Sequence, residues 1–207
     1  MKFKIVSLFV LCAILISCGT SRQGGKKQRK GTKAQVVLTP EQQRKYDYFF
    51  LEASRLKMKD DYSAAFDLLQ HCLTINPNAS SALYEISQYY MYLKQVPQGQ
   101  AALEKAVEND PDNYWYSQGL ASLYQQQNEM QKATNLLENM ATRFSDRMDP
   151  LYSLLDIYNR LEEYDNVITT LNRLEEKMGK NEQLSMEKFR IYLQKKDNQS
   201  AFREIES

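Results

Sequence analysis

The sequence predicts an all-α fold of helical hairpins that repeat about four and a half to five times, with a period of about 34 residues. Three sets of residues keep this spacing. Short side chains form the first set, Ala65, Gly99, Ala133, Val167 and Ala201. A large aliphatic side chain follows each of them four residues later, at Leu69, Leu103, Leu137, Leu171 and Ile205. The third set is Tyr90, Tyr124, Tyr158 and Tyr192. Such constant spacing predicts stacked units that bury the same face one after another.

The composition is that of an ordinary folded protein with a basic leader. Of the 207 residues 43% are hydrophobic, and only seven are glycine and five proline, so the chain can bury a substantial core. The net charge is +1, but residues 1–40 hold eight lysines or arginines and no acid, while the remainder holds 19 basic and 26 acidic residues. These cations are not spread over a folded face, which argues against a nucleic-acid partner.

The segment 1–17 has the layout of a secretory signal peptide. Lys2 and Lys4 precede a twelve-residue apolar run over 5–16, which is shorter than the roughly 20 residues that a membrane-spanning helix needs. The residues Leu15, Ile16, Ser17 and Cys18 resemble the bacterial lipobox. That resemblance implies cleavage before Cys18 and a covalent lipid on its thiol and new amine, with palmitate among the acyl chains. The alternative is an ordinary signal peptide with a cysteine near its end.

A flexible basic tether is predicted to follow over 18–38, because this segment has four glycines and six positive charges and no hydrophobic pattern before Val36. Gly19 is not the aspartate that retains lipoproteins in the inner membrane of enteric bacteria. The expected location is therefore the cell membrane, lipid-anchored, and more specifically the outer membrane. The absence of acidic residues just after the cysteine favours its periplasmic face.

The repeat region is predicted over 39–207. Thr39, Pro40 and Gln42 indicate the start of a helix, as an N-cap, a first-turn proline and a capping-box partner. Pro77 and Pro111 are separated by one full period and mark ends of units, because proline cannot continue a helix. The units are predicted at 46–79, 80–113, 114–147, 148–181 and 182–207, the last of them incomplete.

The second of these units resembles the tetratricopeptide repeat most closely. The residues that carry the resemblance are Leu83, Ile86, Ser87, Tyr90, Gly99, Leu103, Ala106 and Pro111. It implies an α-solenoid in which the short side chains let the two helices of each hairpin approach closely. Leu155 and Phe189 depart from this pattern, since the earlier units have Ala53, Ser87 and Ala121 there, and looser hairpins are expected in units four and five.

The last unit is in register through Ala201 and Ile205 but stops before a polar capping helix could cover its open face. Either this short helix, although frayed, is enough to cover the open face of the last unit, or the array continues beyond residue 207. The second interpretation is favoured, because repeat arrays normally need a capped end to stay soluble.

No pattern of catalytic chemistry is recognisable. The single histidine, His71, is adjacent to Cys72, and neighbouring helical residues point about 100° apart, which is unsuitable for joint metal ligation. Cys72 lies on a ladder with Ala106 and Met140 and is predicted to be a core thiol. The expectation is a protein that is not an enzyme, with no catalytic residue, no metal and no cofactor apart from the lipid on Cys18.

The family resemblance implies a concave groove lined by the first helices of successive hairpins. The predicted partner-binding residues on these helices are Phe50, Tyr84, Gln88, Met91, Tyr92, Trp115, Gln118 and Tyr152. Aromatic anchors flanked by amides suit a protein or peptide partner, and they also suit sugar stacking. The alternative is that several of these rings simply cover the seams between hairpins.

The favoured hypothesis is a lipid-anchored, non-catalytic scaffold for protein interactions in a bacterial cell envelope. A second hypothesis is a glycan-binding lipoprotein, which the lack of long loops between the helices weakens. A third is an accessory factor for outer-membrane assembly, which the strictly constant period fits poorly.

Overall fold

The computed structural model describes residues 37–206, and this part of the chain contains ten helices and no strand. The five hairpins are α1 (Pro40–Lys57) with α2 (Tyr62–Ile75), α3 (Ser80–Tyr92) with α4 (Val96–Asn109), α5 (Tyr114–Gln126) with α6 (Met130–Arg143), α7 (Asp149–Arg160) with α8 (Tyr164–Met178), and α9 (Glu182–Gln194) with α10 (Asn198–Glu206). Each helix packs against its neighbours in the chain, within a hairpin and between hairpins. The predicted all-α solenoid is confirmed.

The first helix begins where the sequence predicts it. The Thr39 hydroxyl accepts a hydrogen bond from the Gln42 amide at 3.2 Å, and the Gln42 side chain accepts one from the Thr39 amide at 2.9 Å. These two bonds form a capping box, and Pro40 follows the N-cap residue Thr39 as the first residue of the helix. The capping box provides partners for backbone amides that the first turn of a helix leaves unpaired. α1 consequently begins ahead of position 46, where the first unit is predicted to start.

In every hairpin, the turn contains one residue with a left-handed backbone conformation at the same position. The five are Asp60, Lys94, Asn128, Glu162 and Lys196, with φ between 57° and 62°. The amide of the next residue donates back to the carbonyl oxygen five positions earlier, over 2.8 to 3.0 Å. This 6→1 bond is the Schellman motif, which ends one helix sharply enough for the next to fold back on it.

The short-side-chain ladder is buried throughout, as predicted, from Ala65 to Ala201. Four members of the aliphatic ladder, Leu69 to Leu171, are also buried, whereas Ile205 is 50% exposed. Ile205 differs because α10 is the last described helix, and no further described hairpin covers the face on which this side chain lies.

A lysine occupies a core position in the last hairpin. Lys188 is the equivalent of Leu154 in the preceding unit and is only 3% exposed, with its Nζ 2.8 Å from a carboxylate oxygen of Glu175 and 2.7 Å from one of Glu204. Burial acts to lower the pKa of Lys188, but the hydrogen bonds with the two glutamates outweigh it and raise that pKa. This charged contact links α8, α9 and α10.

Candidate partner-binding face

A cavity of about 520 Å³ lies between α3 and α5, the first helices of the second and third hairpins. We call it the α3–α5 cavity. Its walls are Tyr84, Gln88, Met91, Val96, Leu103, Gly119, Ser122, Leu123, Gln126 and Gln127. Apolar side chains and the ring of tyrosine form much of this surface, and hydroxyl and amide groups lie among them. This composition is typical of a site that holds a ligand by apolar contact and orients it by a few hydrogen bonds.

Two glycines shape the α3–α5 cavity. A Cβ atom at Gly119 would meet Tyr84 Cε2 at 3.6 Å and Leu103 Cδ2 at 3.8 Å, so a methyl group fits there and a longer side chain would project into the cavity. At Gly99 a Cβ atom would lie 2.8 Å from Met91 Cε and 3.1 Å from the Ser87 carbonyl oxygen. The lack of a side chain at Gly99 therefore allows Met91 to pack against α4.

The polar groups of the α3–α5 cavity are not all hydrogen-bonded. Gln88 Nε2 donates to the Ser87 hydroxyl at 3.2 Å, and that hydroxyl donates to the Tyr84 carbonyl at 2.6 Å. The Gln127 Nε2 atom is buried and has no hydrogen-bond partner among the described residues. A buried amide donor without a partner costs about 1 to 3 kcal/mol of stability.

A second cavity, of about 440 Å³, lies where the turn between α1 and α2 faces α3. We call it the tyrosine cavity, and its walls are Lys57, Tyr62, Gln88, Tyr89 and Tyr92. Gln88 lines both cavities, so the two adjoin each other at this side chain.

The rings of the tyrosine cavity form a wedge. The Tyr62 and Tyr92 centroids are 6.5 Å apart with 37° between the ring planes, and Tyr89 meets Tyr62 edge-on at 6.4 Å. The Tyr62 hydroxyl donates to Asp60 at 2.7 Å, and Lys57 Nζ lies 2.7 Å from a Glu85 oxygen.

One of the tyrosines that line this cavity, Tyr89, has a buried hydroxyl without a partner among the described residues. Tyr89 is only 8% exposed, and its hydroxyl oxygen is buried with no hydrogen-bond partner among the described residues. Burial raises the pKa of the Tyr89 phenol, so the group is protonated and can donate at neutral pH.

The predicted groove residues divide into two groups. Tyr84, Gln88 and Met91 line the α3–α5 cavity, and Gln88 and Tyr92 line the tyrosine cavity. The other four predicted residues, Phe50, Trp115, Gln118 and Tyr152, line neither of these two cavities.

Each of these four side chains has a neighbour of its own. Phe50 stacks on Tyr46 with centroids 5.9 Å apart, and Trp115 lies edge-on to Tyr114. Gln118 accepts a hydrogen bond from the Tyr114 hydroxyl at 3.1 Å. The Tyr152 hydroxyl lies 3.4 Å from the sulfur of Met178. The contacts of Phe50 and Gln118 are with residues four positions earlier on the same helix, so whether these side chains bind a partner stays a prediction.

Sequence reasoning missed several residues of the two cavities. Tyr62 and Val96 begin second helices, and Gln127 directly follows α5, whereas the family resemblance pointed only to positions within first helices. Leu103 was expected only as a core residue of the aliphatic ladder. The one feature of the sequence that pointed to these two cavities was the density of tyrosines around residues 84–92.

Cys72 and His71, the two residues considered for thiol chemistry or metal binding, both pack against other side chains of the protein. Cys72 is a free, fully buried thiol, and burial raises its pKa to about 11, so the predicted core thiol is confirmed. His71 is exposed beside the ring of Phe49, with centroids 5.6 Å apart. Among residues 37–206 no cluster of three or more His, Cys, Asp or Glu side chains is arranged to hold a metal ion.

The membrane anchor predicted at Cys18 lies outside the described residues, as do the signal peptide and most of the tether. Within the described range, none of the helices combines the length and the apolar character needed to cross a membrane.

Comparison with known proteins agrees with this architecture. Residues 80–113 match the tetratricopeptide repeat family. No curated protein sequence matches the chain significantly. Among solved structures, a MamA protein superposes with a TM-score of 0.59 at 18% identity, over 79% of this chain and 90% of that one.

Two further structures are similar. MamA from Desulfovibrio magneticus RS-1 has a TM-score of 0.55 at 14% identity, over 78% of this chain and 91% of its own. A tetratricopeptide repeat protein from Parabacteroides merdae has a TM-score of 0.52 at 16% identity, over 79% of this chain and 78% of its own. At such identities the likeness concerns the fold alone. The described part of this chain is an all-α solenoid of tetratricopeptide-type hairpins.

Proposed function

We propose that this protein is a non-catalytic scaffold, lipid-anchored through Cys18 in a bacterial cell envelope, which holds an extended segment of a partner protein in the α3–α5 cavity. The observation that carries the binding role is the cavity itself, about 520 Å³ in volume and lined by apolar and amide side chains in similar measure. Its volume is within the range of about 300 to 1,000 Å³ that is usual for specific ligand sites.

A peptide suits the α3–α5 cavity for two reasons. The apolar contacts from Tyr84, Met91 and Leu123 can hold one or two aliphatic side chains. The exposed side chains of Gln88 and Gln126 offer amide groups that can donate to, or accept from, the backbone of a peptide. An extended segment presents such carbonyls and side chains in alternation.

The anchored location rests on the sequence of the leader. A lipid on Cys18 and a tether of about twenty residues would hold the solenoid near a membrane surface, within roughly 25 Å by flexible-chain scaling. The favoured place is the periplasmic face of the outer membrane, where the partner would be another envelope protein.

The binding role is tested by filling the cavity. A phage library of random twelve-residue peptides is selected on the purified protein, and the dissociation constants of the enriched peptides are measured by fluorescence anisotropy. We expect Gly119→Leu to weaken them at least tenfold, because the added side chain projects into the cavity. The matched control is Gly119→Ala, which adds a methyl group at ordinary contact distance and should bind as the wild type does.

Two results would contradict this function. One is a selection that enriches no peptide. The other is an enriched peptide that binds Gly119→Leu with unchanged affinity while circular dichroism shows the variant to be folded.

A glycan is the second candidate ligand. It is favoured by the exposed aromatic ring of Tyr92, which is 80% accessible beside the tyrosine cavity. Binding of oligosaccharides with the loss of that binding in Tyr92→Ala would support it.

A further inference from the structure

We propose that the outer face of α1 is a membrane-docking face, which lies on the headgroups of the anionic phospholipid bilayer to which the lipid on Cys18 anchors the chain. The inference rests on the proposed lipid anchor and specifies how the anchored solenoid meets the membrane. Three observations carry it: exposed apolar side chains on one stripe of α1, cations on the same stripe, and the charge difference between this helix and the remainder of the solenoid.

The outer face of α1 exposes three large apolar side chains. Tyr48, Leu51 and Met58 are 64%, 68% and 79% accessible, and Met58 is the C-cap residue. Their spacing of three and then seven positions places them on one side of the helix. The opposite side, which holds the buried Ala53, packs against α2. The three side chains therefore point away from the core.

Cations lie on the same stripe of α1. Arg44 precedes Leu51 by seven positions and Arg55 follows it by four, while Lys59 directly follows Met58, and all three cations are exposed. Arg55 also donates to the neighbouring Glu52. A face on which apolar side chains lie among arginines and lysines is typical of helices in a membrane interface, because the apolar groups enter the acyl boundary while the cations stay among the phosphates.

The distribution of charge favours this end of the solenoid. Residues 41–59 hold five basic and three acidic side chains, a net charge of +2, whereas residues 60–207 hold 14 basic and 23 acidic ones, a net charge of −9. An anionic bilayer therefore attracts α1 and repels the remainder of the solenoid. The six positive charges of the predicted tether add to this attraction, since α1 begins at Pro40, directly after the tether.

A further hairpin, such as that of a second copy, fits the outer face of α1 less well. Inside the array, Tyr89 of α3 contacts Tyr62 and Phe66 of the preceding hairpin. Its counterpart in α1 is Arg55, which is paired with Glu52. At these two positions the later units have buried apolar residues, namely Ile86 and Tyr89, Leu120 and Leu123, and Leu154 and Ile157. A protein cover would remove the ion pair from water, whereas lipid headgroups leave it solvated.

The experiment reads whether position 51 contacts lipid. The lipidated protein with Leu51→Cys is labelled at the new thiol with a nitrobenzoxadiazole fluorophore, while the native Cys72 is buried and stays unlabelled. The protein is then reconstituted in equimolar phosphatidylethanolamine and phosphatidylglycerol vesicles. We expect the emission to shift to shorter wavelength and nitroxide-labelled phospholipids to quench it at least twofold.

Met186→Cys is the matched control, because Met186 is an exposed apolar residue on the first helix of the last hairpin. Its label should show neither the shift nor the quenching. Equal quenching at the two positions, or none at position 51, would overturn the proposal. A shift at position 51 that appears without vesicles and grows with protein concentration would also overturn it, since a second copy would then cover the face.

Charge reversal tests the part played by the headgroups. Arg44→Glu combined with Lys59→Glu should reduce the quenching at position 51 at least twofold, because the phosphates then repel the face. The control is Lys94→Glu combined with Lys196→Glu, which changes the net charge equally and places glutamate at turns equivalent to that of Glu162. Circular dichroism checks that both variants are folded. Quenching that Arg44→Glu with Lys59→Glu leaves unchanged would contradict the docking face.

Failure of this inference is distinguishable from failure of the anchor. If the protein incorporates palmitate but the label at position 51 stays in water, the docking face is wrong and the anchor stands. If no palmitate is incorporated, the anchor is wrong. The label is then read on the Cys18→Ala protein added to phosphatidylglycerol vesicles, where an unshifted emission would overturn the docking face as well.

Discussion

The five residues that end the first helix of each hairpin adopt a left-handed backbone conformation, and none of them is glycine. A residue with a Cβ atom is disfavoured there by roughly 1 to 2 kcal/mol, and asparagine least of the types present. Asn128 suits the position, whereas Lys94, Glu162 and Lys196 do not. The Schellman bond of each turn holds these side-chain-bearing residues in place.

Replacing Glu162 with glycine should therefore stabilise the protein. Its φ of 57° is free of strain for glycine, although glycine loses more chain entropy on folding, and we expect a net gain of about 0.5 to 1 kcal/mol. The midpoint of thermal unfolding should rise by about 1 to 4 °C for a domain of this size.

The matched control for Glu162→Gly is Glu162→Ala. Alanine removes the same charge but keeps the Cβ atom in the left-handed conformation, so it should give no gain. Equal midpoints for the two variants would show that backbone strain is not what glycine relieves.

At the scale of helices, two of the four tyrosines that recur once in every period, Tyr124 and Tyr158, link consecutive hairpins by hydrogen bonds. The Tyr124 hydroxyl on α5 donates to Glu104 on α4 at 2.9 Å, and the Tyr158 hydroxyl on α7 donates to Glu138 on α6 at 3.3 Å. Burial, followed by the hydrogen bond to Glu104, raises the pKa of Tyr124. At these two positions the ring fills space, and its hydroxyl also joins one unit to the preceding unit through a charged acceptor.

Removing this hydroxyl from Tyr124 should cost more than removing it from Tyr158. Tyr124→Phe deletes a short hydrogen bond to a carboxylate, worth about 1.5 to 3 kcal/mol. Tyr158→Phe deletes a longer one, and its acceptor Glu138 keeps the charged Arg173 guanidinium at 2.8 Å, whereas Glu104 keeps the uncharged Gln100 amide at 2.9 Å. Urea unfolding followed by circular dichroism measures both losses, and an equal or larger loss for Tyr158→Phe would contradict the assigned role.

One sequence expectation about helix pairs is only partly right. The pairs α1–α2 and α3–α4, with Ala53 and Ser87, approach along more of their length than α7–α8, which has Leu155. However, α5–α6 pairs about as little as α7–α8 although it carries Ala121 at the equivalent position, and α9–α10 pairs more than either although it carries Phe189. Leu155 is half-buried, so its larger side chain is accommodated at the edge of the seam and does not alone set the closeness of the hairpin.

At the scale of the whole molecule, the proposed anchor and the proposed binding face are separate parts of the chain. The lipid site is at Cys18, and the two cavities are built from residues between Lys57 and Gln127. Changes at one should leave the other intact.

Replacing Cys18 with alanine should abolish lipid attachment, because alanine has no thiol to receive the acylglycerol. Cells expressing the protein are fed an alkyne analogue of palmitate, and the labelled protein is detected after coupling to a fluorophore. Ser17→Ala is the control, since it keeps a small residue before the cysteine and should retain the label. Persistent labelling of Cys18→Ala would refute the lipidation proposal.

The sequence by itself determined the architecture. The positions of Ala65, Leu69 and their equivalents follow from it because each hairpin can bury its apolar face only against neighbours in the same register. The start of α1 at Pro40 and the burial of Cys72 also follow, since capping and apolar ladders are local or periodic signals.

Tertiary structure alone decided the candidate site. Tyr62 belongs to α2 while Tyr89 and Tyr92 belong to α3, so their wedge depends on the angle at which these two helices meet. The ring of Tyr84 lines a cavity, whereas the ring of Phe50 stacks on Tyr46. This difference depends on side-chain packing, which a periodic sequence pattern does not contain. The exposure of Ile205 has the same origin, because burial requires a neighbouring helix as well as an apolar residue in register.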